Sequence, residues 1–209
     1  MMTPDAPAAI GPFLPYLDLA GIAVFALSGA VVAAEKRQTL VTFVFFAVLT
    51  GVGGGTVRDL LIGAPVFWMG KNVIFFICLA AALLVWVTPQ RIWEGRALLW
   101  LDAVGLAAYG TFGAAKGLAY GVAPLPAFAM GVLTACLGGV IRDVLTGEPS
   151  IIMRPELYVT AAALSAALMV GLLLLGVPSY LAGPIAAALG FALRGLAIAR
   201  GWGLPTYRG

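Results

Sequence analysis

The chain has no histidine, only two cysteines and little charge: Asp, Glu, Lys and Arg together make up 10% of its 209 residues. Without histidine there is no imidazole to act as a general base or a metal ligand. Cys78 and Cys136 each sit inside an apolar run, so neither a disulfide nor a metal site is expected. The serines have no base at a recognisable spacing, and no G-x-x-x-x-G-K-[ST] phosphate loop is present, so the chain is not expected to be an enzyme or to need a cofactor. The 12 Lys and Arg residues exceed the 9 Asp and Glu by three, but they are scattered between apolar runs. No basic cluster could follow a phosphate backbone, so nucleic acid is not an expected partner. The first five residues lack a basic n-region, do not read as a secretory signal, and leave the first span expected to be retained.

What the chain has in abundance is apolar surface: 62% hydrophobic residues and a mean hydropathy of +1.05, more than a soluble core of this size could bury. Lipid must solvate much of it. A hydrocarbon layer of ~30 Å takes roughly 20 helical residues per crossing. On that rule the sequence predicts seven spans, at 16–34, 40–62, 73–89, 98–116, 124–146, 157–176 and 180–199. The connections are short, so residues 1–209 read as a single all-α membrane domain. Trp68 and Lys71, then Arg91, Trp93 and Arg96, and finally Trp202 and Tyr207 fall where interfacial anchors belong. One set of connections collects Lys36, Arg37, Arg91, Arg96, Arg154, Arg200 and Arg208, the other only Lys71 and Lys116. That bias predicts an external N-terminus and a cytoplasmic C-terminus in the cell membrane.

The sequence repeats itself at an offset of 84: Leu17-Asp18 matches Leu101-Asp102, Gly29-Ala30 matches Gly113-Ala114, and Gly54-Gly55 with Arg58-Asp59 matches Gly138-Gly139 with Arg142-Asp143. Residues 17–65 and 101–149 share 16 identities, and 10 of them fall in the last 18 positions. Shared apolar composition would spread matches evenly, so the clustering argues for duplication. The copies span 16–89 and 98–176, with 180–199 as an unpaired seventh helix. Three crossings per copy is an odd number, so the second copy should run inverted, an arrangement that puts function near the midplane between the copies.

Two features of the repeat could serve that function. Gly53, Gly54 and Gly55 in the second span, and Gly138 and Gly139 in the fifth, each cost roughly 1 kcal/mol relative to alanine in a helix. We expect them to mark kinked, irregular turns whose freed carbonyls, near Gly53 and Gly138, could hold a monovalent cation. The plainer alternative is close helix packing. Arg58, Asp59, Arg142 and Asp143 lie within the same two spans, where a charge costs on the order of 2.5–3.5 kcal/mol. They must face the protein interior, either paired, with exchange between the copies as one arrangement, or lining an ion path. Asp18 and Asp102 stand where they could cap the first and fourth spans, or mark two pore mouths at opposite faces. Lys116 ends the predicted fourth span and reads as a snorkelling anchor, with a pore-facing cation as the other reading.

The duplicated pattern Gly53-Gly54-Gly55-Thr56-Val57-Arg58-Asp59-Leu60-Leu61 and Gly138-Gly139-Val140-Ile141-Arg142-Asp143-Val144-Leu145, followed by Pro65 and Pro149, resembles the prokaryotic TRIC family of trimeric intracellular cation channels. Related bacterial sequences also look like a glycine-transporter domain. The resemblance covers nearly the whole chain. It implies a homotrimer in membrane lipid with one pore per protomer, no soluble partner, and permeant potassium with sodium also passing. It also implies that kinked second and fifth helices line the pore, with the glycines at 53–55 and 138–139 as the kinks. A secondary transporter of a small solute such as glycine is the alternative.

Overall fold

A computed structural model describes residues 14–207. The first five residues and Arg208, on which the signal and orientation readings drew, lie outside them. Among the described residues there are seven α-helices and no strand longer than an isolated bridge: α1 Leu14–Glu35, α2 Leu40–Leu61, α3 Asn72–Val87, α4 Ala97–Ala119, α5 Pro124–Thr146, α6 Val159–Leu174 and α7 Ser179–Arg200. Local chemistry sets several ends. Thr39 caps α2 with its hydroxyl accepting from the Thr42 amide at 3.4 Å. Pro124 opens α5, and Gly147 and Gly201 close α5 and α7 at φ +67°, a conformation L side chains resist.

Among the described residues five helices are long and apolar enough to cross a membrane, and α3 and α6 are shorter apolar helices of 16 residues each. At 1.5 Å per residue these two span about 24 Å. Their outer faces leave Phe76, Val87 and Leu174 exposed, a surface suited to hydrocarbon. Helix length and exposed apolar surface together fit a chain that crosses the membrane several times.

The bundle is organised around α1 and α4. Helix α1 packs on α2, α3 and α4; helix α4 packs on α5, α6 and α7; and α2 crosses α5. The observed helices follow the predicted spans closely, with α1 starting two residues and α4 one residue before the predicted positions. Helices α1 and α4 begin at Leu14 and Ala97, so Asp18 and Asp102 lie a full turn inside them and cap neither. Helix α4 also runs on to Ala119, which leaves Lys116 buried within it and not at the lipid surface.

Candidate functional site

The glycines of α2 and α5 meet where the two helices cross. A Cβ at Gly54 would collide with the backbone carbonyl of Thr134, and one at Gly138 would come within 2.7 Å of the carbonyl of Thr50. Thr50 and Thr134, like Gly54 and Gly138, are 84 apart, so the contact is reciprocal. The same holds for α1 and α4: Gly21 abuts Tyr109, Gly105 abuts Phe25, and the two rings stack at 5.4 Å. Both α2 and α5 stay α-helical through their glycines. The unwound turns expected at Gly53–Gly55 and Gly138–Gly139 are therefore absent in this state, because intrahelical bonds occupy the carbonyls and the missing side chains serve close approach. Among these glycine runs, Gly51 takes an additional bond, its carbonyl accepting from the Tyr109 hydroxyl at 2.9 Å.

Each crossing helix ends in a buried charge cluster. In α2, Arg58 Nε donates to its neighbour Asp59 Oδ1 at 2.8 Å, and the Phe67 amide donates to Asp59 Oδ2 at 3.0 Å. Lys116 of α4 donates to the same Oδ1 at 2.8 Å, an ion pair between the two copies. The Arg58 guanidinium lies over the Phe112 ring at 5.0 Å and near that of Phe67 at 5.8 Å. In α5, Arg142 Nε donates to Asp143 Oδ1 at 3.0 Å and the Ile151 amide to Asp143 Oδ2 at 3.0 Å, the same bonds shifted by 84. Arg142 also forks onto Asp102, at 2.7 and 2.9 Å, and reaches Ser28 of α1 at 2.6 Å. The Arg-Asp neighbours thus pair within their own copy, contrary to an exchange between copies; Lys116 and Ser28 make the cross-links.

Asp102, Arg142 and Asp143 open onto a cavity of about 300 Å³ whose walls include Val32, Glu35, Lys36 and Glu148. Asp18 lies with the α2 cluster, under the charges of Arg58, Lys116, Asp59 and Lys71. Alternation of the helices puts Asp18 and Asp102 at opposite ends of the bundle. The structure therefore gathers the candidate residues into two clusters flanking the glycine crossing.

Several participants were not anticipated. Ser28, Phe67 and Phe112 carry no sequence signal alone, although aligning the repeats sets Ser28 opposite Phe112 and so marks that position in both copies. Arg194, in the interior of the last span, is buried and paired with Glu156 at 2.5 Å.

At the cavity rim, Lys36 hydrogen-bonds Glu148 and holds its carboxyl below the usual carboxylate range. A lowered carboxyl stabilises the fold above its unfolded pKa and loses that contribution as pH falls through the lower folded value. Melting curves of wild type and Glu148→Gln should thus run parallel, with wild type slightly higher, above about pH 5, and converge at lower pH. A gap that persisted in acid would remove the bridge as its source.

The model of the family described as Glycine transporter matches residues 15–90 and 99–173, once in each half of the chain. A UPF0126 membrane protein of Vibrio cholerae is 39% identical over 167 residues, 75% of this chain and 67% of the relative. The UPF0126 inner membrane protein YadS of Escherichia coli is 39% identical over 150 residues, 70% and 72% of the two chains. Among solved structures, the TRIC trimeric intracellular cation channel orthologue from Rhodobacter sphaeroides superposes with a TM-score of 0.84 at 41% identity, covering 90% of this chain and 98% of that one. It is a channel and not an enzyme.

Proposed function

The chain belongs to the prokaryotic TRIC family, within the group of sequences described as glycine transporters, and from that premise we propose that it is a monovalent cation channel passing potassium and also sodium. The observation that carries this reading is the pair of buried charge clusters on either side of the α2–α5 crossing, one of which opens onto a cavity. Asp18, Asp59, Asp102 and Asp143 face Arg58, Arg142 and Lys116, four carboxylates against three cations. One net negative charge draws a cation in, while the fixed cations weaken its hold enough for it to leave. Asp18 and Asp102 mark the two mouths, and the Asp59–Lys116 pair closes the path at one end.

In this reading residues 16–89 and 98–176 are inverted copies within one membrane domain, and 180–199 is an added helix. The reciprocal contacts at Gly54 and Gly138, and the twofold match of the family model, support the duplication. Gly53, Gly54, Gly55, Gly138 and Gly139 are the points at which α2 and α5 bend when the path opens, exposing carbonyls near Gly53 and Gly138 to the ion. Three protomers assemble, each with its own pore, in the cell membrane with the N-terminus outside, as the Lys and Arg bias argues.

A transporter of a small solute is the second reading, favoured by the description of the matching family. Purified protein in liposomes separates the two. Discrete unitary currents carried by potassium are expected; saturable glycine uptake with counterflow and no unitary current would replace the channel with a transporter.

A further inference from the structure

The two charge clusters are alike in sequence and unlike in completion. At the offset of 84, Asp18 corresponds to Asp102, Asp59 to Asp143, Ser28 to Phe112 and Val32 to Lys116. Around Arg142 every guanidinium nitrogen has a partner: Nη1 bonds Ser28 and Asp102, Nη2 bonds Asp102 and Asp143, and Nε bonds Asp143. Arg58 is 1% exposed and bonds only through Nε; its two terminal nitrogens have no partner among the described residues. Asp18 Oδ1, whose counterpart on Asp102 receives Arg142, is also buried and unpartnered among them.

Buried unpaired donors and acceptors are costly, and the rings of Phe112 and Phe67 offset only part of the cost for a guanidinium. Two complementary groups, each equivalent to one member of a closed pair in the sister half, both lie open in the same cluster. Where the first half presents the Ser28 hydroxyl to Arg142 of the second, the second half presents the flat face of Phe112 to Arg58 of the first. We propose that Asp18 and Arg58 form an exchangeable latch: in one state Arg58 stacks on Phe112 as here, and in the other it forks onto Asp18 as Arg142 does onto Asp102. The Arg142 cluster, already satisfied, stays fixed. One end of the bundle then switches while the other braces it. The consequence for conduction rests on the channel reading above, with the latch moving the charge that flanks the Asp59–Lys116 pair.

The symmetrising variant Phe112→Ser with Lys116→Val gives the first cluster the residues of the second. Its structure is expected to show Arg58 forked onto Asp18 at the 2.7 and 2.9 Å seen for Arg142 on Asp102. Arg58 still apart from Asp18 would overturn the latch. Should that protein not fold, Asp18→Asn and Asp102→Asn in the otherwise native chain decide the matter. Asp102→Asn is expected to lose most of its folded yield. Asp18→Asn should melt close to wild type and change potassium flux by about fivefold or more. Equal loss of stability in both, or wild-type flux in Asp18→Asn, would refute the exchange. A wild-type protein that carries no potassium defeats the channel reading instead, and the structural and melting comparisons then judge the latch alone.

Discussion

Arg142→Met is expected to destabilise the protein by about 3–5 kcal/mol, the cost of breaking a buried ion pair by removing one partner. The guanidinium serves Asp102, Asp143 and Ser28 at once, and the first two are left as buried carboxylates when it goes. Asp143 keeps the Ile151 amide, but Asp102 has no other partner in the cluster among the described residues. Much of the penalty therefore belongs to the stranded carboxylate and not to the loss of attraction. Arg142→Met combined with Asp102→Leu should recover a large part of the loss, since apolar residues of similar volume commonly replace a buried pair at little cost. Thermal unfolding in detergent of both single variants and the double variant measures this. A double variant no more stable than Arg142→Met would mean that the pair contributes through its geometry and not through charge compensation.

The second large effect concerns the helix crossing. In an unpacked helix Gly→Ala gains about 1 kcal/mol. At Gly54 the added methyl would meet the Thr134 carbonyl, which belongs to the α5 backbone and cannot rotate away. Forcing α2 and α5 apart should cost about 1–3 kcal/mol, as overpacking elsewhere does, and Gly54→Val should cost more. Gly138→Ala should behave the same way against the Thr50 carbonyl. At Gly171, in α6, an added methyl would meet nothing within 4 Å, so Gly171→Ala serves as the control and should stabilise. The expected result is a change of sign between the crossing and the control. Stabilisation at Gly54 would mean that the glycines are kept for bending alone.

Both predictions start from positions the sequence marks, and both depend on neighbours it does not. Arg142 must face inward because hydrocarbon will not hold a charge, which places it on the interior of α5 from composition alone. Nothing in spacing says that its main partner is Asp102, on another helix 40 residues earlier. The capping expectation for Asp102 failed because hydropathy locates a span without identifying the residue that caps it: α4 begins at Ala97, one residue from the predicted start, and Asp102 is an interior carboxylate a full turn further on. Lys116 was misplaced for the same reason at the other end of α4, which continues past it to Ala119. The glycine runs show a further limit. Their cost in a helix is legible, but whether unwinding or close packing offsets it depends on what lies across the interface.

The sequence by itself determined the membrane class, the seven helices and the matched positions of the two Arg-Asp pairs, because bilayer thickness, helix rise and the cost of charge in hydrocarbon act on local composition. Only the tertiary structure decided that Gly54 and Gly138 are points of reciprocal contact, that Lys116 joins Asp59, and that Arg142 is fully paired while Arg58 is not. Those outcomes depend on which side chains from separate helices converge: at the position where Arg142 meets the Ser28 hydroxyl, Arg58 meets the Phe112 ring.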